Sequence, residues 1–439
     1  MSQKKNQNIV AIITMIFLFG MVGFVTNLAA PVANIWKNQP GINGSNALGM
    51  MGNMMNFLAY LFMGIPAGKL FYKNGSKKTI LTAIAVGFAG VFVQFLSGVI
   101  GVNPGSTGVP FSFFVYLLGA FISGFSVCML NTVVNPMLTL LGGDSKRGNQ
   151  LVQIGGTFNS LLGTLTPMLV GALIGTITPA TAFKDINLVL YIAMVVFVLA
   201  FIIISFLTLV DPETASSNDG KDVPNPWKFR HFVLGVIAIF CYVGVEVGTP
   251  GTLNLYLSDT TAKGGGLLTN AAAIAGFCAG SYWFLMLIGR FASSLISGKV
   301  SSRIQLAVTS GLTLILVLCA IFSSKENLVS MPVFNGSGFE MAKVPVAALL
   351  LVLVGLCTSV MWGSIFNLAV EGLGKATALA SGIFMMMVVG GGLMPWLQDV
   401  IAKATDSITS YWLVVAMVAY ILFFSLIGSK NVNKDIPVD

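Results

Sequence analysis

The stretch that decides the fold is Tyr242-Val243-Gly244-Val245-Glu246-Val247-Gly248-Thr249-Pro250, inside an apolar segment from about Phe232 to Leu257. A segment of this length is enough for an α-helix to cross about 30 Å of hydrocarbon. Among the carboxylates of the sequence, only Glu246 is predicted to lie deep inside a membrane-spanning segment. Because an ionisable group in hydrocarbon costs at least ~2.5 kcal/mol, it normally faces a bundle interior or a water-filled cavity. The stretch therefore predicts a membrane helix with a functional polar face.

The composition excludes a soluble domain. Of the 439 residues, 56% are hydrophobic and 9% are charged, whereas ordinary soluble domains are about 25% charged. The mean hydropathy is +0.89, and the 49 glycines suit close packing between membrane helices. The five cysteines all fall in apolar segments and are interpreted as small buried apolar residues, without disulfides or metal. We therefore expect an all-α integral membrane protein.

Apolar stretches long enough to cross a bilayer number twelve. They are spans 1 to 12, at 8–35, 46–70, 79–101, 112–141, 151–177, 187–209, 232–257, 270–297, 303–323, 344–370, 376–400 and 409–428. The polar loop from Asp211 to Arg230 contains three prolines and is the longest polar connection. We expect an N-terminal six-helix bundle over 1–210, a cytoplasmic linker over 211–230 and a C-terminal bundle over 231–439.

The basic residues indicate the orientation. With the N-terminus inside, 17 of the 23 lysines and arginines lie on the inner side and 6 on the outer side. The positive-inside rule then places both termini in the cytoplasm and the chain in the inner membrane. The same distribution explains the net charge of +8 without a nucleic-acid partner.

Three matches between the halves indicate an internal repeat. Gly68-Lys69 after span 2 matches Gly298-Lys299 after span 8, Cys128 matches Cys357, and Pro167 matches Pro395. Their offsets are 230, 229 and 228 residues. Nearly equal offsets in the same order predict two pseudo-symmetric bundles, a parallel repeat of the kind found in transporters.

The residues of known enzyme motifs are absent from the sequence. There is no phosphate-binding loop, no HExxH and no Cys/His cluster, and the only histidine, His231, lies at the inner mouth of span 7. Gly390-Gly391-Gly392 lies within span 11 and does not open a βα turn, so it favours close packing or a flexible point. We expect no enzyme activity, no cofactor and no metal site.

Neutral polar side chains instead recur at membrane depth. Each on its own is equally well explained by hydrogen bonding between helices, worth ~0.6 to 2 kcal/mol. As a group beside aromatic rings they suit a neutral polyol, which needs hydrogen bonds to hydroxyls and an apolar platform for its C–H face. The candidate substrate-binding residues are Asn27, Asn131, Asn135, Asn159, Tyr282 and Trp362.

The repeat predicts that the two walls of the cavity differ. Asn131 and Asn135 in span 4 correspond to Val360 and Ser364 in span 10. In the same way, Thr157 and Asn159 correspond to Met385 and Met387. The N-half wall is therefore expected to be polar and the C-half wall aromatic and rich in methionine, although methionine stripes are also common in plain packing.

The two ionisable candidates are Glu246 and Arg290. Glu246 lies 15 residues beyond His231, ~22 Å along a helix, so it suits either proton coupling or a structural hydrogen bond within span 7. Arg290 lies at the inner end of span 8 and is expected to snorkel or to act in inner gating. No basic side chain is placed near mid-membrane, which argues against an anionic substrate.

A set of stretches spread along nearly the whole chain resembles the major facilitator superfamily, and within it the fucose–galactose–glucose:proton symporter family. The stretches are Pro66-Ala67-Gly68-Lys69-Leu70, Asn135-Pro136, Phe158-Asn159-Ser160, Tyr242-Val243-Gly244-Val245-Glu246-Val247, Tyr282-Trp283, Gly289-Arg290-Phe291, Ser364-Ile365-Phe366, Gly372-Leu373-Gly374-Lys375 and Ala380-Ser381-Gly382. The resemblance implies twelve helices in two bundles, a central sugar site and alternating access, with monosaccharides carried inward together with protons.

The chain departs from that family where protons are concerned. The acidic residue of span 1 has no counterpart near Thr26-Asn27, and the glutamate of span 4 is here Asn131. Arg147 and Asn149 stand about one helical turn farther from Phe158 than in the family. Both usual N-half carboxylates are therefore missing, and Glu246 is the buried group left to carry a proton.

The sequence thus predicts a transporter for a small neutral sugar, such as a hexose or deoxyhexose, either coupled to protons or sodium or facilitative. We expect a monomer in the lipid bilayer. The alternatives are a transporter of an acidic sugar or a nucleoside, and a membrane sensor that transports nothing.

Overall fold

The structure is a computed structural model. It describes residues 2–42, 45–102, 108–174, 181–207, 209, 224–259, 261, 263–267, 271–334 and 339–433. Most of the predicted linker, residues 211–223, lies outside the described residues, and its end forms a short turn over Pro226–Lys228.

The described chain is almost entirely helical and accounts for the twelve predicted spans. Ten helices are long and apolar enough to cross a membrane. One of them, Met51–Ile100, contains spans 2 and 3, and the 30-residue helix Ser145–Ile174 is span 5. The other spans are Ser2–Asn27 with Ala29–Lys37 (span 1), Phe111–Leu141 (4), Asn187–Phe206 (6), Arg230–Ser258 (7), Ala271–Ile296 (8), Ser302–Phe322 (9), Val346–Thr358 with Met361–Val370 (10), Thr377–Met386 with Gly390–Ala404 (11) and Tyr411–Phe423 (12).

Short elements complete the description. The helix Asn46–Gly49 precedes span 2, and 3₁₀ turns lie at Phe183–Ile186, Gly374–Ala376 and Met387–Val389. A π-helical turn, Phe424–Gly428, ends span 12. Large side chains on the outside of the bundle are apolar, for example Phe206 at 86% and Phe322 at 75% exposure, which is the surface that lipid requires.

A β-hairpin lies between spans 9 and 10 and was not expected from the sequence. Its strands, β1 (Leu328–Phe334) and β2 (Phe339–Pro345), pair antiparallel in a register from Leu328 opposite Pro345 to Phe334 opposite Phe339. The end of the bundle that carries this hairpin is named the hairpin face. The opposite end, where spans 1 and 7 begin and span 12 ends, is named the terminus face.

Spans 2 and 3 follow each other without a loop because Gly75 joins them. It has φ +74° and ψ 178°, while its neighbours on both sides are helical. Only glycine adopts this conformation readily, because a Cβ would clash with the backbone. The chain can therefore turn back at the terminus face with a single non-helical residue, where the sequence predicted a loop.

Three spans are interrupted close to the interface between the two halves. Span 1 is interrupted at Leu28, span 10 between Thr358 and Met361, and span 11 at Met387–Val389. Interrupted membrane helices leave backbone groups without their helical partners, and such groups are tolerated only against protein or a water-filled cavity. These interruptions therefore indicate where a cavity lies.

On the terminus side, spans 2 and 11 pack backbone against backbone. A Cβ on Gly64 would lie 2.6 Å from the carbonyl oxygen of Gly382, and a Cβ on Gly382 would lie 2.7 Å from the Cα of Gly68. Small residues permit such close approach between membrane helices. We name this contact between the halves the glycine seam, and in this conformation it closes the terminus side.

Candidate functional site

A cavity of about 430 Å³ lies between the two halves. This volume falls in the range of small-molecule sites. Its N-half wall comes from spans 1, 2, 4 and 5, and its C-half wall from spans 7, 8, 10 and 11. The polar N-half lining is Thr26, Asn27, Tyr60, Asn131, Gln153, Asn159, Ser160 and Thr164, whereas the C-half lining is Val243, Glu246, Val247, Trp283, Phe284, Met286, Arg290, Ser359, Trp362 and Val388 among others.

Three of the predicted asparagines line this N-half wall. Asn131 donates from Nδ2 to the Tyr60 hydroxyl at 2.8 Å, Asn27 donates to the Gly23 carbonyl at 2.8 Å, and Asn159 donates to the Phe19 carbonyl at 3.0 Å. Asn27 and Asn159 are each oriented by one such bond, whereas Asn131 also accepts a bond of 3.4 Å at Oδ1 from Nδ2 of Asn135. A primary amide has a second hydrogen and a carbonyl oxygen, so each retains hydrogen-bonding capacity for a ligand.

Glycines explain how these asparagines reach the cavity. A side chain on Gly23 would overlap the backbone of Asn159, and a Cβ on Gly163 would lie 2.6 Å from Nδ2 of Asn27. Spans 1 and 5 therefore approach closely, and their amides lie beside one another on the same wall.

Asn135 has a different position from the one that the sequence suggested. It is fully buried, does not line the cavity and accepts a hydrogen bond from Nε1 of Trp362 at 3.0 Å. Its Nδ2 donates to the carbonyl of Asn131 at 2.9 Å. Asn135 thus connects the two halves through Trp362, which itself lines the cavity.

The aromatic residues of the C-half wall also differ in part from the expectation. Tyr282 is fully buried and absent from the lining, and its hydroxyl shares a hydrogen bond of 2.9 Å with Thr358. Its neighbour Trp283 lines the cavity instead. Successive residues of a helix point about 100° apart, so only one of the pair can face the cavity.

Glu246 and Arg290 form a buried ion pair at the cavity. The Nη2 of Arg290 lies 3.0 Å from Oε1 of Glu246, and their side chains are 11% and 13% exposed, respectively. The same Oε1 accepts the Tyr242 hydroxyl at 2.9 Å. From its Nη1, Arg290 also donates to Oγ of Ser160 in the N-half at 2.7 Å. Arg290 therefore contacts both halves.

The expectation that no basic side chain lies near mid-membrane was wrong. Arg290 is six residues from the helix end at Ile296, about 9 Å, so its backbone does lie toward the terminus face. Helical side chains point toward the helix N-terminus, and span 8 begins at the hairpin face. The guanidinium is thus directed toward the cavity. Span 7 runs antiparallel to span 8, so the side chain of Glu246 points toward the guanidinium of Arg290.

The site includes residues that the sequence interpretation did not name as binding candidates: Tyr60, Gln153, Ser160 and Trp283. Gln153 donates to the carbonyl of Val360 at 2.9 Å, across the two halves. Gln153 lies four residues after Asn149 and so on the same helix face, and this spacing could have indicated it as a site residue. Tyr60 follows Asn53 and Asn56 at helical spacing in span 2, and this polar face was the available signal for it. Within the described residues, no group of three His, Cys, Asp or Glu side chains is placed to hold a metal ion.

Comparison with known proteins agrees with this architecture. The chain is 28% identical over 440 residues to a glucose/galactose transporter of Brucella abortus biovar 1, covering 98% of this chain and 96% of the relative. It is 23% identical over 397 residues to the L-fucose-proton symporter of Escherichia coli strain K12, covering 84% and 81%. The crystal structure of the E. coli fucose:proton symporter matches with a TM-score of 0.77 at 18% identity, over 97% of this chain and 100% of that one. At that identity the structural match shows the fold.

The sequence profile of the Major Facilitator Superfamily matches residues 10–395. Together with the twelve spans and the cavity between the two halves, this match shows that the chain is a multi-pass membrane protein belonging to the Major Facilitator Superfamily.

Proposed function

We propose that the protein takes up a small neutral sugar, a hexose or deoxyhexose, by alternating access of the cavity between its two halves. The observation that carries this proposal is a cavity that combines three asparagines of the N-half wall with aromatic rings from both halves, Phe19, Phe57 and Tyr60 in the N-half and Trp283, Phe284 and Trp362 in the C-half. Amides bind hydroxyls, and aromatic faces accommodate the C–H face of a sugar. Relatives named as transporters of glucose, galactose and fucose support the same substrate class and the absence of an enzymatic role.

Within this proposal, Asn27, Asn131 and Asn159 bind sugar hydroxyls directly and Trp362 forms the apolar platform. Asn135 acts through Trp362, because its carbonyl oxygen holds the indole N–H. Tyr282 supports the wall from behind through its bond to Thr358. Trp283 takes the stacking position that Tyr282 was expected to occupy.

The ion pair supports a neutral substrate over an acidic one. A buried arginine in a cavity could bind a carboxylate, but the carboxylate of Glu246 already neutralises Arg290 at 3.0 Å. An acidic sugar would have to displace Glu246 and leave it as an uncompensated buried charge, which is costly. The acidic-sugar alternative is thus disfavoured by charge.

The orientation follows from the distribution of basic residues. We propose that the chain lies in the inner membrane with both termini and the linker in the cytoplasm, and the excess of lysine and arginine at the terminus face supports this orientation. Because contacts between the halves close the terminus side, the cavity belongs to an outward-facing state. We further propose that the transporter functions as a monomer.

Coupling and gating are assigned to the ion pair. Arg290 joins the halves at the cavity wall through Ser160 and Gly156, so its release from the N-half would accompany opening of the inner gate. If sugar uptake is coupled to protons, protonation of Glu246 would weaken its hold on Arg290. Sodium remains the alternative coupling ion.

Uptake of a sugar panel into proteoliposomes, with and without a pH gradient, tests these proposals. We expect saturable uptake of at least one neutral hexose and its accumulation when a pH gradient is imposed. Accumulation should be lost in Glu246→Gln while exchange of sugar across the membrane continues. Undiminished accumulation in that variant contradicts the coupling role, and absence of uptake for every neutral sugar contradicts the substrate class.

A further inference from the structure

A second contact between the halves on the terminus side differs in chemistry from the glycine seam. It lies between spans 5 and 10 and is named the polar seam. Span 5 contributes Ser145, Asn149 and Gln153, which are spaced four residues apart and so lie on one helix face. Span 10 contributes Gly363, which lies against Gln153 and Asn149, and Asn367; Ser364 follows Gly363 along the same helix.

Hydrogen bonds close the polar seam at both of its ends. Next to the cavity, Gln153 donates to the Val360 carbonyl at 2.9 Å. Toward the terminus face, Asn367 donates to Oγ of Ser145 at 3.0 Å and to its carbonyl at 2.9 Å. The seam therefore runs from the cavity to the terminus face, along the direction that a transported molecule would follow.

Between these two ends, several polar atoms have no partner. Asn149 and Ser364 are fully buried. Neither the Oδ1 nor the Nδ2 of Asn149 has a hydrogen-bond partner, nor does the Oγ of Ser364. Asn149 Oδ1 lies against Gly363, 3.2 Å from the position that a Cβ would take there. Burying unpartnered polar atoms costs free energy, so this arrangement makes the closed state less stable than an apolar seam would.

The glycine seam shows that closure alone does not require such groups, since Gly64, Gly68 and Gly382 close the same side without polar side chains. The unpartnered amide and hydroxyl are therefore better explained by a ligand that they meet when the halves separate. One amide donor, one amide acceptor and one hydroxyl match the vicinal hydroxyls of a polyol.

We propose that Asn149 and Ser364 form a second sugar-binding position, on the terminus side of the cavity, which is used once the inner gate opens. The inference rests on the proposed sugar transport and adds a site to it. The bound molecule would be the transported neutral sugar on its way out. Because the position is closed in the outward-facing state, it contributes to binding only from the terminus face.

The two faces can be assayed separately in right-side-out and everted membrane vesicles. We expect Asn149→Leu to raise the sugar KM about tenfold in everted vesicles, where sugar enters from the terminus face. In right-side-out vesicles the KM should change less than twofold. Ser364→Ala, a smaller change, should alter the everted KM in the same direction by about threefold.

Thermal unfolding provides the second readout, because removing an unpartnered buried polar group should not destabilise the outward-facing protein. Both variants are expected to keep or raise the melting temperature. Asn27→Ala, a substitution in the cavity wall, serves as the control and should raise the KM from both faces. An unchanged KM in everted vesicles, or an equal rise from both faces, overturns the second position and leaves the cavity assignment intact. Failure of the wild-type protein to transport any neutral sugar overturns both.

Discussion

The two walls of the cavity differ in chemistry. The N-half wall presents amides that are oriented by bonds to the protein, as Asn131 is by Tyr60 and Asn135. The C-half wall presents aromatic rings and an ion pair that is already satisfied, with Oε1 of Glu246 accepting from both Arg290 and Tyr242. Under the proposed function, hydrogen bonds to the sugar would come mainly from the N-half, because its lining holds most of the uncharged polar side chains, and both halves would supply aromatic contact.

The largest expected effect comes from removing Arg290, which pairs with Glu246 and also bonds to Ser160 in the N-half. Arg290→Met leaves the carboxylate of Glu246 buried without a counter-charge, which typically costs 3–5 kcal/mol. We expect a clear loss of thermal stability and a fall in transport of about a hundredfold or more. Unfolding in detergent and uptake in proteoliposomes measure the two effects.

The matched control is the double variant Arg290→Met with Glu246→Gln. Because it removes both charges, it should recover most of the lost stability while transport stays impaired. Wild-type stability in Arg290→Met alone would show that the ion pair does not organise the C-half wall.

The next effect concerns the polar wall. Asn131→Leu removes an amide that lines the cavity, and we expect the sugar Kd to rise about tenfold, equivalent to ~1.4 kcal/mol. Thr132→Val is the control on the same helix, since the Thr132 hydroxyl donates to the carbonyl of Cys128 within the helix. Equal losses of affinity in the two variants would contradict a direct role for Asn131.

A smaller effect is expected at the aromatic wall, and it separates two adjacent residues. Trp283→Leu should raise the sugar Kd about three- to tenfold, in keeping with ~0.5–1.5 kcal/mol for aromatic contacts. Tyr282→Phe should leave the Kd unchanged and lower stability by about 1 kcal/mol, since it removes the bond to Thr358. A raised Kd in Tyr282→Phe together with an unchanged Kd in Trp283→Leu would instead support Tyr282 as the residue that contacts the sugar.

The smallest effect is expected at an ion pair outside both walls. Lys403 and Asp399 lie 2.6 Å apart on span 11, with the lysine side chain 75% exposed. Exposed pairs contribute about 0–1 kcal/mol, so Lys403→Ala should leave sugar uptake unchanged and the melting temperature nearly so. A transport defect in this variant would show that substitutions act by general destabilisation and not through the cavity.

The sequence alone is sufficient to predict the membrane-spanning helices, because hydropathy reports the length of each span directly. Hydropathy could not show that spans 2 and 3 are joined directly at Gly75 without a loop, since a single positive φ has no hydropathic signal. It also could not predict the hairpin of Leu328–Phe334 and Phe339–Pro345, a short element outside the membrane.

The candidate site was only partly accessible to the same reasoning. Asparagines at membrane depth stand out by their desolvation cost, so the sequence alone predicts Asn27, Asn131 and Asn159. Which face of span 8 points inward depends on packing, and for that reason Tyr282 was named in place of Trp283. The position of Arg290 was missed because its long side chain carries the charge far from its backbone.

The most direct test of the central claim compares a neutral hexose with the corresponding uronic acid by calorimetric titration of the purified wild-type protein. The two ligands share their ring hydroxyls and differ by one carboxylate. A neutral cavity, with Arg290 already paired to Glu246, predicts that the hexose binds at least tenfold more tightly than the uronic acid. Tighter binding of the uronic acid would show that Arg290 is available to the substrate and would contradict the assignment of a neutral sugar.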